Sequence, residues 1–195
     1  GWPAAQSYRG RYREAVAATP SFSEGFENGL GDWAFYSGNQ ANDIGSTSSN
    51  EPAGIFPSAA HSGDNGFRFS SFQNFVDQGE TNASYWQYLT SPEFELSGPS
   101  VLRFYHKKYS NLYYESLYVG YITDLDNPQE TTFTSPEIHP TEDWQCYILD
   151  LPSDAKKVFF SYYGEHTFFI YPLLFLFNLF FEICYSSNLY SSYIL

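Results

Sequence analysis

The 195-residue chain carries 9 basic against 22 acidic residues, a formal net charge of −13, and 21% aromatic residues with no Met. That length suits one domain with extensions and a sizeable core. An acidic surface of this strength repels phosphate backbones and excludes nucleic acid as a partner. The 18 Tyr and 19 Phe suit β-sheets and binding surfaces, and an aromatic core is the plainer use for them.

Residues 1–20 form a lead-in or linker. Arg9, Arg11 and Arg13 give it a basic character, and its short helical pattern ends by Thr19-Pro20, because the residue before proline resists helical geometry. In FSEGFENGLGDWAFY, Phe22, Phe26, Trp33 and Phe35 are strand-like anchors around a bend at Gly29-Leu30-Gly31. Residues 37–66 read as a long polar loop with one short strand at Ile55-Phe56, and loops of this length often carry function. HSGDNG, from His61 to Gly66, is a tight turn entering a strand over Phe67 to Phe72. A further strand covers Ser84 to Thr90.

The centre of the chain is Thr90 to Thr123. Gly98-Pro99 breaks it ahead of two runs, Val101 to Tyr109 and Glu115 to Ile122. Leu102, Phe104 and His106 share one face of the first run, and Leu117, Val119 and Tyr121 share one face of the second. Such alternation marks half-buried strands, and the short link predicts that the two pair as an antiparallel hairpin. TDLDNP from Thr123 is a turn, Thr131 to Thr134 a short strand, and Trp144 to Leu151 an alternating one. Lys157 to Tyr163 is the next strand, and Gly164 leads into another over His166 to Tyr171. Many strands at close spacing, with no convincing internal helix, predict an all-β fold, an antiparallel β-sandwich of jelly-roll type.

Seven motifs in order, FSEGFENGLGDW, HSGDNGFRF, TSPEFELSG, VLRFYHKKY, ESLYVGYITD, WQCYILDLP and KKVFFSYYG, make residues 21–171 resemble a known family. It is that of the MAM-like jelly rolls of bacterial surface proteins, which include the cleaved adhesin domains of gingipain-type proteases and the choice-of-anchor domains. The resemblance implies a non-catalytic adhesion or binding module of a secreted or cell-surface protein, with host protein or glycan as partner. It also implies a structural calcium ion (Ca2+) near the first and last strands. Glu27 is the matching carboxylate, and Asp64 is a looser candidate that has capping of its own turn as an alternative role. The chain departs from the family pattern after Phe168-Phe-Ile-Tyr171. No aspartate follows Asp154, so a calcium site built in the family's way lacks its C-terminal ligand.

Residues 172–195 fall outside the sandwich in this reading, as an anomalous hydrophobic tail. The apolar run from Phe168 to Cys184 is shorter than the ~20 residues a membrane span needs. Pro172, Asn178 and Glu182 interrupt it, and no Lys or Arg occurs after Lys157, so membrane anchoring is the less favoured role. Cys146 and Cys184 belong to no CxxC pair, which leaves one disulfide or two buried thiols.

No nucleophile elbow, zinc motif or phosphate loop is present. The histidines lack metal-ligand spacing, and His106 reads as structural. Glu93/Glu95 and Asp124/Asp126 are the carboxylate pairs open to glycoside chemistry, yet solvated faces and turns explain them more simply. The chain is therefore read as no enzyme. Tyr113, Tyr114, Trp86 and Tyr88 are the aromatics open to a platform that stacks sugar faces on flat rings. Tyr113 and Tyr114, beside the link, are the expected ligand-binding residues, while a core place is favoured for Trp86. The runner-up is a carbohydrate-binding module appended to a secreted hydrolase.

Overall fold

The computed structural model describes residues 22–38, 43–44, 52–71, 82–111, 114–129, 132–167 and 181–185. The strands are β1 (Phe22–Glu24), β2 (Ala34–Ser37), β3 (Gly54–Phe56), β4 (Gly66–Arg68), β5 (Asn82–Thr90) and β6 (Ser100–His106). After them come β7 (Glu115–Ile122), β8 (Thr132–Thr134), β9 (Gln145–Leu151), β10 (Lys157–Thr167) and β11 (Phe181–Tyr185). One sheet has the order β1-β11-β6-β9, the other β2-β5-β10-β7-β8, and β3 with β4 makes a small ribbon. Every pairing is antiparallel. The expected all-β sandwich is what the chain forms.

The core lies between the two sheets. Leu102 and Phe104 of β6 and Leu149 and Leu151 of β9 meet Leu117 and Val119 of β7 and Val158, Phe160 and Tyr162 of β10. Phe104 and Phe160 join the layers edge to face, with ring centroids 5.0 Å apart. Phe26, Trp33, Phe67 and Phe69 close one end. Phe26 holds φ 58, a conformation that bulky residues rarely adopt. Complete burial against Trp33 and Phe67 and a bond from its N–H to Glu24 Oε1 (2.6 Å) keep it there.

Two expectations are corrected. The runs from Val101 and Glu115 do not form a hairpin, because β6 pairs with β9 and β11 while β7 pairs with β10 and β8. Each is an interior strand of its own sheet, and the apolar faces meet across the core instead of lying side by side. The link between them therefore crosses from one layer to the other.

The second correction concerns the C-terminal end. Glu182–Tyr185 pair with Arg103–Ser100 of β6, and Phe181–Ile183 pair with β1. The sandwich thus continues beyond residue 171 and takes its closing strand from the stretch read as a tail. Residues 168–180 and 186–195, like the lead-in over 1–20 and residue 21, lie outside the described residues. Among the described residues, no helix is long and apolar enough to cross a membrane.

The cysteines are neither bridged nor both buried. Cys146 is free and exposed. Cys184 lies opposite Val101 on one edge of β6, and Cys146 lies opposite Tyr105 on the other. Two strand spacings sideways and the offset along β6 separate the Cα atoms by roughly 16 Å, far beyond the ~7 Å that a disulfide spans.

Candidate ligand-binding groove

Strand pairing in the five-stranded sheet brings distant residues side by side on its outer face. Trp86 of β5 lies beside Tyr163 of β10, which lies beside Ser116 of β7. Tyr88, Ser161 and Tyr118 form the next row, and Tyr36 of β2 flanks Tyr88. These residues have the opposite parity to Leu89, Phe160, Tyr162, Leu117 and Val119, so burial of that set turns them to the outside. Trp86 is 41% exposed and Tyr88 39% exposed, so Trp86 is a surface residue and not the core residue expected. Its ring lies 4.9 Å from that of Tyr163, 6.0 Å from Tyr118 and 6.3 Å from Tyr88, the last pair stacked.

Beyond Trp86 the surface dips into an open groove of about 500 Å³, lined by Trp86, Tyr114, Ser116, Tyr118, Glu137 and Tyr163. Its size falls within the usual range of small-ligand sites. Tyr114, just ahead of β7, is 48% exposed and donates its hydroxyl to Glu137 Oε1 at 2.5 Å. That bond, aided by Ser116, His139 and Tyr118, holds the Glu137 carboxyl below the usual carboxylate range against a smaller opposing effect of burial. Glu137 is therefore an anion at neutral pH. His139 Nε2 lies 3.8 Å from its other oxygen. Ser116 lines the groove, but its hydroxyl is shielded from solvent. The arrangement offers flat apolar rings, the Tyr114 hydroxyl and one negative charge.

Of the two expected ligand-binding residues, Tyr114 lines this groove, and Tyr113 lies outside the described residues. Ser116, Tyr118, Glu137 and Tyr163 were not singled out in the sequence. The available signal was parity, since Tyr118 and Tyr163 alternate with apolar neighbours that the core claims. Glu137 sits in an irregular segment, held near β7 by mutual bonds between the Leu117 and Ile138 backbones, and no periodicity marks it.

The expected calcium residues do meet. Glu27 Oε1 accepts the Asp64 N–H at 2.9 Å and the Asn65 N–H at 3.4 Å, and Asn65 Nδ2 lies 3.4 Å from Oε2. Gly63 at the turn has φ +73, and a Cβ there would stand 2.0 Å from Glu27 Oε1. Glu27 thus clamps the turn, and Asp64 receives this clamp through its backbone. Calcium draws on about six to eight oxygens. The described residues contain no group of three or more His, Cys, Asp or Glu able to hold a metal. Two carboxylates, one engaged by amide donors, do not make a calcium site by themselves.

The remaining candidates have structural settings. Glu93, Glu95, Asp124 and Asp126 are exposed, and Asp124 Oδ1 accepts the Asp126 N–H at 2.9 Å within the turn. His106 is buried against Phe104, its Nδ1 lacks a partner, and burial lowers its pKa to about 4, so it stays neutral.

No family model matches the chain, and no curated protein matches it. Solved structures do. The K1 cleaved adhesin domain of Lys-gingipain from Porphyromonas gingivalis W83 aligns with a TM-score of 0.56 at 18% identity, over 83% of this chain and 96% of that one. The K3 domain from the same organism aligns with a TM-score of 0.57 at 18% identity, over 85% and 98%. The K2 domain of Lys-gingipain aligns with a TM-score of 0.50 at 17% identity, over 74% and 95%. The chain has the jelly-roll fold of the Lys-gingipain cleaved adhesin domains.

Proposed function

We propose that this chain is a non-catalytic adhesion module of a secreted or cell-surface protein, and that it binds glycan on the outer face of its five-stranded sheet. The observation that carries this reading is the outer-face row of exposed Trp86 and Tyr88 with half-buried Tyr118 and Tyr163 beside the groove. Ring faces left in water add little to the stability of a fold, whereas a sugar ring laid on them buries apolar area on both sides. The likeness to adhesin domains agrees with such a role. A non-catalytic role is favoured by the settings of the carboxylate pairs, which face solvent or brace a turn.

The same groove serves the second reading, a carbohydrate-binding module carried by a secreted hydrolase. Retention by soluble plant or microbial polysaccharides, with none by host-cell surfaces, would favour it. The reading as a whole is tested by glycan-array binding of the wild type and of a W86A/Y118A variant. Glycan binding that disappears in the variant, with an unchanged melting temperature, is expected. Equal binding by the two proteins would overturn the site.

A further inference from the structure

From the chemistry of the groove we infer that its preferred ligand is a glycan bearing a free amino group, of the glucosamine type. This rests on the reading of the groove as a glycan site. The sugar ring stacks on Trp86, and its ammonium meets the Glu137 carboxylate. Three observations carry it. Glu137 is ionised and held in place by the Tyr114 hydroxyl, so the groove contains a fixed anion at one end. None of the six described lining residues is Lys or Arg, and the basic neighbour beside Glu137 is His139, 3.8 Å from Oε2, which leaves Oε1 and the groove side for a cationic ligand group. The chain's net charge of −13 adds a long-range bias toward cations and against uronic or sialic acids.

A lysine side chain or a quaternary ammonium carries the same charge, but a small cation favours a closed aromatic cage. Here Trp86 and Tyr114 are 41% and 48% exposed, and the groove of about 500 Å³ is wide for an ammonium alone. An open flat wall suits the face of a ring.

The test is calorimetric titration of the whole chain with short glucosamine oligomers, with the matching N-acetylglucosamine oligomers and with a lysine-containing peptide. Asp126→Asn, at an exposed turn residue outside the groove lining, serves as the charge-matched control. The wild type and D126N should bind the amine form about fivefold more tightly, with a preference that shrinks at high salt. E137Q should bind both sugars equally, and W86A should bind neither. Equal affinity for the two sugars in the wild type, or a preference that survives E137Q, would overturn the inference and leave the glycan groove standing. Tighter binding of the peptide would overturn it in favour of a protein partner. No sugar binding by the wild type would overturn this inference, and the glycan array then decides the reading beneath it.

Discussion

Tyr162 donates its hydroxyl to Glu115 Oε1 at 2.7 Å, with both side chains buried between the sheets. Ser71 Oγ lies 3.2 Å from the same hydroxyl. The second oxygen of Glu115 has no partner, so nothing there compensates a buried charge. Burial pushes the Glu115 carboxyl up to about 8, against the weaker opposing effects of the Tyr162 bond and the Lys108 charge.

The consequence for stability has a definite sign. Between the ordinary Glu pKa of about 4.3 and a folded value of about 8, the folded chain keeps a proton that the unfolded chain has lost. Stability therefore falls as pH rises across that window. Glu115→Gln keeps an acceptor for Tyr162 and removes the titration. Its stability relative to wild type should rise between pH 4.5 and 8 by on the order of a few kcal/mol. Denaturant melts at several pH values check this, and parallel curves for the two proteins would refute it.

Glu137 shows the opposite shift at the surface. Its carboxyl lies low chiefly because Tyr114 donates to it. Tyr114→Phe removes that donor and leaves the ring. The Glu137 carboxyl should then titrate at higher pH, which side-chain carbon NMR reads directly. A titration unchanged in Y114F would mean that the other neighbours hold the charge and that Tyr114 serves only as a wall.

The strands themselves were legible because alternation is a local property. Leu102 with Phe104, Leu117 with Val119, and Leu149 with Leu151 each point into the core as their spacing predicts. Which strands become neighbours is not local. Two adjacent runs with a short link look like a hairpin, yet β6 and β7 belong to opposite layers. The same limit hid the groove, since Trp86, Tyr163 and Tyr118 come from three strands that are remote in sequence. A core place for Trp86 is the plainer reading of an aromatic in a strand, but its parity, opposite to that of buried Gln87 and Leu89, sets it outside.

The clamp between Glu27 and the HSGDNG turn gives a further prediction. Gly63→Ala would force a side chain into a left-handed backbone and onto the Glu27 carboxylate. A loss of about 1–3 kcal/mol is expected. Glu27→Ala should cost about 1 kcal/mol, given its exposure. The loss in E27A should be the same in excess calcium and in chelator if the clamp acts alone. A calcium-dependent rise in the wild-type melting temperature that vanishes in E27A would instead place Glu27 in an ion site completed by residues beyond those described.

Strand β11 is the element whose removal tests the architecture most directly. It lies between β1 and β6, is among the described residues the only strand hydrogen-bonded to β1, and covers the edge of β6 opposite β9. A chain ending at Tyr171 would leave β1 without a ladder and expose the edge of β6 at Ser100 to Arg103. Unpaired edges of this kind recruit other chains. The shortened chain should lose its cooperative thermal transition, or melt well below the full chain, and should aggregate. Adding back a peptide of residues 181–185 with its flanking residues should restore part of the loss if strand pairing is the cause. Equal melting of the two chains would show that the sandwich closes without β11, and that the sequence from Pro172 onward is the tail its composition suggests.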